Sequence, residues 1–479
     1  MKSRHLFFIC IGLLISSSVF AQQNKLPDAT TLLLSYVEND SELKNLTLSA
    51  KKAALSYESV KIDNGFDVTL SSGTISLQIS EDGTSLSAKP SVKANLPAAS
   101  NLSLTAKSSL SSEAGATNVS DTSLSLGVDI ISSVSLSNKI TKLKAERSVT
   151  EAKRKIEKRA IAAEKEFYTA LKNLLSSISS IMTKEENLYE DSIDFEAKKI
   201  QGYSSSSSTY RQAELKVISD QHDIDSARHS FIYNCIVFYK KCGYDIEITE
   251  TDDLMSYVPF GIDDIEAVDV HDFDRELYSE IESADWTYKI NSLERASKKT
   301  YSLSANAGYT FANSSTKSDS IDAGLNGSIG GLSLGAGISF PLGSQNQSPV
   351  YTLSATVNPN TFRKNKITKE QNELTEEQEL LAIEAAQAAY ETKIVELEQK
   401  LDSILWEKKS SEENISMYAA LEKDMAKLYE QGYVSKNEYL SSKTNLNNSL
   451  IKRLSNRIDL IIYNDDVISN FVSEKFEIN

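Results

Sequence analysis

The stretch from Arg363 to Gln431 contains 69 residues and neither proline nor glycine. Its apolar and neutral residues recur at alternating steps of three and four, which is the seam of a coiled-coil helix. The seam positions are Leu380, Ile383, Gln387, Tyr390, Ile394, Leu397, Leu401 and Ile404. Such a helix would be roughly 100 Å long, far longer than a compact domain requires. It ends before Gly432, which is placed as a helix C-terminal glycine.

The same order of patterns occurs twice along the chain. In each half a helical pattern precedes alternating, strand-like runs, which are followed by a long helix ending in Gln-Gly-Tyr and by a returning helix. The two Gln-Gly-Tyr turns contain Gly202 and Gly432, so the repeat offset is 230 residues. An offset of this size indicates two copies of one large unit, not a solenoid of short repeats.

These patterns predict the domain boundaries. Residues 1–21 are interpreted as a signal peptide, with Lys2 and Arg4 at its basic start and a small-residue cleavage site at Ala21. The first repeat, 22–243, comprises a helix from Pro27 to Ile62, strands at 66–132, a long helix at 138–201 and a returning helix at 209–241. An acidic connector at 244–270 leads to the second repeat, 271–479, with a helix from His271 to Lys299, strands at 301–357, a long helix at 363–431 and a returning helix at 436–470.

Each repeat contains four runs in which apolar and polar residues alternate. Alternation with period two predicts strands that have one apolar and one polar face. A phase shift at Gly73 indicates a β-bulge, Glu81-Asp82-Gly83 is predicted to be a turn, and the segment 111–120 a loop. Alternating runs of about ten residues are typical of strands that span an outer membrane. Such strands must close into a barrel, because an open sheet edge cannot be satisfied in lipid.

Charge and motif content exclude several classes of protein. The net charge of −16 becomes −18 when the signal peptide takes away Lys2 and Arg4, so nucleic acid is not an expected partner. The sequence has no P-loop, no HExxH, no GxGxxG ahead of a helix and no zinc-spaced CxxC pair. We therefore expect no enzymatic activity and no cofactor. After the signal peptide no run of eighteen apolar residues occurs, so no transmembrane helix is predicted.

Cysteine and histidine offer few candidates for chemistry. Cys235 and Cys242 lie seven residues apart on a predicted helix, too far apart for a disulfide, and are interpreted as core thiols. The residues that could suggest a metal site are His222, Asp223, Asp225 and His229. The two histidines are two helical turns apart, too far to share an ion easily, so no metal site is predicted.

The segment from Tyr429 to Leu440 resembles the Gly-x-x-Ser-x-x-Asp-x-Leu turn of the TolC-type outer-membrane efflux family. Gly432, Ser435 and Leu440 match that turn in register, and Glu438 stands where the family commonly has aspartate. In the first copy Gly202 matches and Tyr210 takes the leucine place, with a spacing that indicates one inserted residue. Pro359 and Phe362 resemble the family's strand-Pro-Phe-helix passage, whose proline is missing from the first copy.

The resemblance implies an α+β membrane protein that assembles as a homotrimer. About four strands per chain would form a transmembrane β-barrel of about twelve strands, continued by a long α-helical periplasmic barrel. Because eight alternating runs are present, we expect two runs per repeat to cross the membrane and the middle pair to form an extracellular hairpin. Crossing by all eight runs is the alternative. Candidates for an interfacial aromatic belt are Tyr301, Tyr309, Phe311, Phe340 and Tyr351, with little beyond Phe66 in the first copy.

The resemblance also implies a function and partners. The chain would be the outer-membrane exit duct of a tripartite efflux or type I secretion system, a passive conduit gated at its periplasmic helix tips. It would bind outer-membrane lipid, a periplasmic membrane-fusion adaptor and an inner-membrane transporter. The alternative is a surface adhesin or a structural outer-membrane protein without a transport role. The sequence does not identify the substrate.

Candidate residues for the gate and for adaptor docking lie in the two helix-to-helix turns. They are Gly202, Tyr203, Gly432, Tyr433, Ser435, Glu438 and Leu440. A ring of Glu438 carboxylates, one from each of three copies, would favour cations. An acid just inside a helix N-terminus is also ordinary helix-dipole chemistry, and the glycines also fit plain helix C-caps, so both interpretations stay open.

Overall fold

The computed structural model describes residues 26–80, 83–97, 101–113, 116–249, 252–298, 301–313, 318–343 and 348–478. The predicted signal peptide, and Glu81 and Asp82 of the predicted turn, lie outside these residues. The helices are α1 (Ala29–Asn39), α2 (Ser41–Asp63), α3 (Val134–Ile200), α4 (Ser208–Lys241), α5 (Ser279–Ser297), α6 (Pro359–Glu430) and α7 (Lys436–Asn470). The strands are β1 (Asp67–Ser71), β2 (Ile75–Ser80), β3 (Gly83–Ala88), β4 (Ser91–Leu96), β5 (Leu102–Glu113), β6 (Ala116–Ile131), β7 (Tyr301–Phe311), β8 (Asp319–Ile329), β9 (Leu332–Leu342) and β10 (Val350–Val357).

The proline- and glycine-free stretch forms the longest helix, α6. It begins at Pro359, four residues before the predicted start, because proline lacks the N–H that would be unpaired in the first turn. The side chain of Asn358 accepts a hydrogen bond from the Asn360 N–H at 3.2 Å and so caps this end. Within the described residues, none of the helices is both long and apolar enough to cross a bilayer.

The long helix α3 also begins four residues before its predicted start, at Val134, and two other helices differ more from their predicted extents. The predicted helix from Pro27 to Ile62 is interrupted at Asp40, whose carboxylate accepts a hydrogen bond from the Leu43 N–H at 2.5 Å and caps α2. The predicted helix from His271 begins only at Ser279. Asp269 and Asp274 accept hydrogen bonds from nearby N–H groups and hold short 3₁₀ turns there instead, a role in which aspartate competes with the helical ladder.

All ten strands belong to one antiparallel sheet with the order β1-β4-β5-β6-β7-β8-β9-β10, and β2 and β3 continue it beside β5. β1 and β2 are two parts of one run, separated by the predicted irregularity at Gly73, which has φ of +64°. An added Cβ there would lie 1.9 Å from the carbonyl oxygen of Lys89. For its described residues the predicted loop at 111–120 is wrong, because β5 and β6 extend into it and pair from Ser109 with Ser120 to Glu113 with Ala116.

The middle pair of runs in each repeat does not form the predicted extracellular hairpin. In the second repeat, β8 and β9 are joined by Gly330 and Gly331, and Phe362 of α6 lies against both. The Asn358 N–H also donates to the Gly331 carbonyl at 2.7 Å. This turn is therefore at the end of the sheet where the helices begin. In the first repeat, Asn101 precedes β5 and donates to Asp129 at 3.2 Å near the end of β6, which places that turn at the same end.

The chain divides into two compact units. One contains residues 26–39, Phe167–Asp264 and Ser410–Ile458, and its core includes a cluster of aromatic rings. The ring of Phe167 lies 5.8 Å from that of Tyr36 and 5.2 Å from that of Phe238. Cys235 and Cys242 are buried here as free thiols, which confirms their interpretation as core residues. The residues of this unit carry the two helix turns.

The second unit contains Asp40–Glu166, Ile265–Lys409 and Asp459–Asn479, and it carries the whole sheet. Its main core lies among the helices and contains Val270, Tyr278, Ile281, Ala386, Leu397, Ile404, Leu460, Tyr463, Val467 and Phe471. Between α5 and α3, Glu282 is buried with Arg147 and Arg154, which both donate hydrogen bonds to it. Burial acts to raise the pKa of Glu282, but the two guanidinium groups outweigh it and hold the pKa at about 2.

Candidate functional site

The strand register separates apolar from polar side chains across the entire sheet. One row of directly paired residues from β1 to β10 is Val68, Ala94, Leu104, Leu126, Ala307, Ala323, Ile338 and Tyr351. The next row is Thr69, Lys93, Thr105, Ser125, Gly308, Asp322, Ser339 and Val350. Because successive residues of a strand point to opposite faces, one face is apolar and the other carries hydroxyl, glycine and charged residues. We call these the apolar face and the polar face.

Neither face packs against a protein core. No described residue of the ten strands is buried, and on the apolar face Leu353 is 88% exposed and Leu70 is 75% exposed. A contiguous apolar surface of this size is far larger than a soluble monomer normally exposes. The apolar face must therefore be covered by something other than this chain, either lipid or another protein.

The five predicted belt residues all lie on the apolar face, at its two ends. Tyr309, Phe311, Phe340 and Tyr351 are at the end away from the helices, and Tyr301 is at the helix end. Phe66 directly precedes β1, also at the helix end, and is exposed. Tyr301 and Tyr309 are eight residues apart on one strand, which corresponds to about 26 Å. This spacing matches the apolar band of about 25 Å between the aromatic girdles of outer-membrane barrels.

The two helix turns share one hydrogen-bond pattern. Gly202 and Gly432 have φ of +79° and +75°, a backbone conformation that glycine adopts without strain. The Tyr433 N–H donates to the Leu428 carbonyl at 2.9 Å, and the Gly432 N–H donates to Tyr429 at 3.0 Å. Tyr203 and Gly202 donate in the same way to Lys198 and Lys199 at 3.3 and 3.1 Å. Both helices thus end in a Schellman motif.

In the second turn the structure brings Ser435 and Glu438 together as a capping box. The Ser435 N–H and hydroxyl donate to Glu438 Oε2 at 2.8 and 2.9 Å, and the Glu438 N–H donates to Ser435 Oγ at 3.2 Å. Both hydrogen bonds lower the pKa of Glu438, and the one from the Ser435 N–H contributes more than the one from its hydroxyl. This carboxylate is therefore engaged in starting α7, as the helix-dipole interpretation expected.

The first turn is longer than predicted. Ser207 caps α4, and its hydroxyl accepts from the Tyr210 N–H at 3.3 Å. The cap follows Gly202 by five residues, whereas Ser435 follows Gly432 by three, so two residues are inserted, not one. Tyr210 consequently corresponds to Glu438 and not to Leu440, and this turn has no carboxylate to complete a capping box.

Aromatic pairs close both hairpins, a feature that the sequence reading missed. Tyr429 and Tyr439 stack with ring centroids 5.3 Å apart, and Phe195 and Tyr210 meet edge to face at 5.1 Å. Aromatic residues on both sides of each turn glycine were the available signal. Beyond the turns, Tyr203 and Tyr433 are exposed and Leu440 is partly buried.

One face of α3 near the first turn is open as a shallow apolar groove. It is lined by Tyr189, Ser192, Ile193, Glu196, Ala197 and Ile200. Ile200 is the most exposed of these, at 85%.

The four residues considered as metal ligands do not converge on α4. Asp223 pairs with Lys184 at 3.8 Å, Asp225 accepts from Gln221 at 2.9 Å, and the described part of the chain contains no group of three or more metal-ligating residues.

Each half of the chain supplies strands to the two-faced sheet and one helical hairpin that turns at a glycine, so the structure is that of a duplicated chain. Residues 32–262 match the TP096X N-terminal domain and residues 264–474 match the TP096X C-terminal domain. The chain belongs to the TP096X family. The two domains meet within the predicted connector at 244–270. No curated protein matches the sequence.

Solved structures of outer-membrane channels are similar to this chain at 12% sequence identity. The outer membrane protein VceC from Vibrio cholerae has a TM-score of 0.46 over 92% of this chain and 96% of that chain. The Campylobacter jejuni CmeC outer membrane channel has a TM-score of 0.44 over 96% and 93%, and the Neisseria gonorrhoeae MtrE outer membrane channel has 0.41 over 95% of each.

Proposed function

We propose that copies of this chain assemble in the outer membrane into a channel, the exit duct of a tripartite efflux or type I secretion system. The main observation behind the proposal is the strand register, which aligns the apolar residues of all the strands on one face of the sheet. In a closed sheet the apolar face would contact lipid and the polar face would line a water-filled passage.

Several copies are required because the sheet of one chain is open. β1 and β10 each pair on one side only, and in lipid the free N–H and C=O groups of such an edge would each cost several kcal/mol. A cyclic assembly removes both edges at once. Together with the sequence resemblance, this supports a homotrimer.

The helix hairpins would supply the gate and the docking site. Gly202 and Gly432 allow the chain to reverse tightly, and the exposed rings of Tyr203 and Tyr433 lie directly after them. Exposed aromatic residues on a rigid turn are typical anchors for a protein partner, here a periplasmic membrane-fusion adaptor coupled to an inner-membrane transporter. The Glu438 carboxylate accepts the capping-box hydrogen bonds at the start of α7. A ring of these carboxylates from several copies would therefore attract cations without breaking the cap.

Planar-bilayer recordings of the purified full-length protein test the proposal. We expect discrete conductance steps, opened or enlarged by the adaptor. Asp322→Lys on the polar face should shift the preference from cations toward anions. Asp263→Lys, at an exposed residue of the connector, should leave it unchanged. Absence of conductance with and without adaptor would contradict the channel and favour an adhesin or a structural protein.

A further inference from the structure

The two edges of the sheet share features that bear on how it closes. All five residues of β1 and all eight residues of β10 are exposed. Within the part of the chain that the structure describes, β1 pairs only with β4, and β10 pairs only with β9. Exposed, unpaired edges of this kind are a template for another strand, and natural proteins usually blunt them. Apart from Asp67, neither edge strand carries a charged residue.

The directions of the two edge strands are opposite. β1 leaves the end of α2 and runs away from the helices, while β10 runs back toward Pro359 at the start of α6. Counting β1–β2 and β3–β4 as single runs, the chain crosses the sheet eight times, and each neighbour is antiparallel. An even number of antiparallel runs lets β10 of one copy pair with β1 of the next in the same antiparallel sense.

The faces of the two edges also agree. Val68 and Leu70 in β1, and Leu353 and Ala355 in β10, all lie on the apolar face. A β10–β1 ladder can therefore continue both faces without interruption, provided that its register keeps this parity, because a slip of one residue would turn the partner over. Pairing two β10 strands to each other would instead direct the helices of the two copies to opposite ends.

All eight runs are paired into the same continuous antiparallel sheet. Both middle pairs turn at the helix end, and β8 and β9 are paired with β7 and β10 along the band between the aromatic residues. No pair can be removed as an extracellular hairpin without breaking these ladders. A closed sheet of several copies must then contain eight runs from each.

We propose that β10 of one copy pairs with β1 of the next, so that each chain contributes eight strands to one closed barrel. Three copies would form a barrel of roughly 24 strands, about twice as wide as a twelve-stranded one. This inference rests on the proposed channel function. It names a second copy of this chain as the partner of both edges.

Disulfide crosslinking of the full-length protein in outer membranes tests the pairing. Thr69→Cys is combined in turn with Thr352→Cys, Ser354→Cys and Thr356→Cys, all on the polar face. Matched controls combine Thr69→Cys with Leu353→Cys or Ala355→Cys, whose side chains lie on the opposite face. Because a disulfide needs Cβ atoms about 3.8 Å apart, we expect at least one polar-face pair to form dimers and trimers on non-reducing gels. The opposite-face pairs and each single cysteine should remain monomeric.

Three other outcomes would overturn the inference, and a fourth would separate it from the proposed channel function. A monomer with shifted mobility would mean that one chain closes its own β1 on its own β10. Dimers from Thr69→Cys or Ser354→Cys alone would mean that like edges pair. If no pair forms a crosslink while the same variants still conduct in planar bilayers, the edge pairing is wrong but the channel stands. Crosslinked trimers that never conduct would retain the pairing and contradict the channel.

Discussion

A single arginine on the apolar face should prevent folding into lipid, whereas an arginine on the next residue should not. Leu325 lies on β8, four residues from Ile329, which pairs with Tyr301, and four from Ile321, which pairs with Tyr309. It is thus about 13 Å from each aromatic end of the band, at its middle. Leu325 is 49% exposed within the chain, so roughly half of its surface would contact lipid.

The expected cost follows from this position. An arginine at the middle of an outer-membrane barrel costs about 2–4 kcal/mol, and the loss of the exposed half of a leucine adds about 1 kcal/mol. Leu325→Arg should therefore destabilise the folded state by roughly 3–5 kcal/mol. Asn326 is also exposed in the chain but lies on the polar face, so Asn326→Arg should change stability by no more than about 0.5 kcal/mol.

Folding into phospholipid vesicles at a series of urea concentrations measures this difference. The folded fraction is scored by protease resistance and by mobility on unheated gels. We expect the urea midpoint to fall strongly for Leu325→Arg and to stay near that of the unmodified protein for Asn326→Arg. Equal effects of the two substitutions, or a larger effect of Asn326→Arg, would refute the assignment of the apolar face to lipid.

Three further substitutions test the helical parts, each by urea or thermal unfolding of the full-length protein in detergent. Glu282→Gln leaves two buried guanidinium groups without their carboxylate and should cost about 3–5 kcal/mol, whereas Glu294→Gln, in an exposed pair with Lys144, should cost less than about 1 kcal/mol. The pKa of Glu282 is about 2, below its usual value, so its contribution to the free energy of unfolding should be fully present above about pH 4.5 and be lost as the pH falls toward 2. If the stability of Glu282→Gln depends on pH in the same way as that of the unmodified protein, this expectation is wrong. Gly432→Ala should cost roughly 1–2 kcal/mol because an alanine at positive φ is strained. The control is Gly261→Ala, because Gly261 has no positive φ; equal stability of the two variants would contradict the strained backbone at Gly432. Ser435→Ala should cost about 1 kcal/mol through the lost cap, in contrast to the exposed Ser205→Ala.

Much of the fold could be predicted because its signals are local. Period-two alternation marked β7 with the bounds that the structure has, and the glycine after each long helix marked its end. The segment at 111–120 could not be assigned because serine and threonine occupy both faces there, so no alternation is visible. The five consecutive serines after Tyr203 hid the two inserted residues in the same way, since any of them can cap a helix.

Two features could have been predicted but were not. A chain that leaves a helix and crosses a sheet four times must make its second turn at the helix end, which excludes an extracellular middle hairpin on strand count alone. The Ser-x-x-Glu spacing of Ser435 and Glu438 is the signature of a capping box. The burial of Glu282 between Arg147 and Arg154 was different, because these residues are more than 120 positions apart and no local pattern connects them.

The most direct test of the central claim is cysteine accessibility along β9 in intact outer membranes. Each residue from 332 to 339 is replaced singly by cysteine and exposed to a charged, membrane-impermeant maleimide. Background labelling should be low, because burial raises the pKa of Cys235 and of Cys242 to about 12, so that neither is a reactive thiolate. We predict labelling at Ser333, Gly335, Gly337 and Ser339 and protection at Leu332, Leu334, Ala336 and Ile338. Uniform labelling of all positions, or labelling of the leucine-bearing set alone, would contradict a sheet with one face in lipid and the other in water.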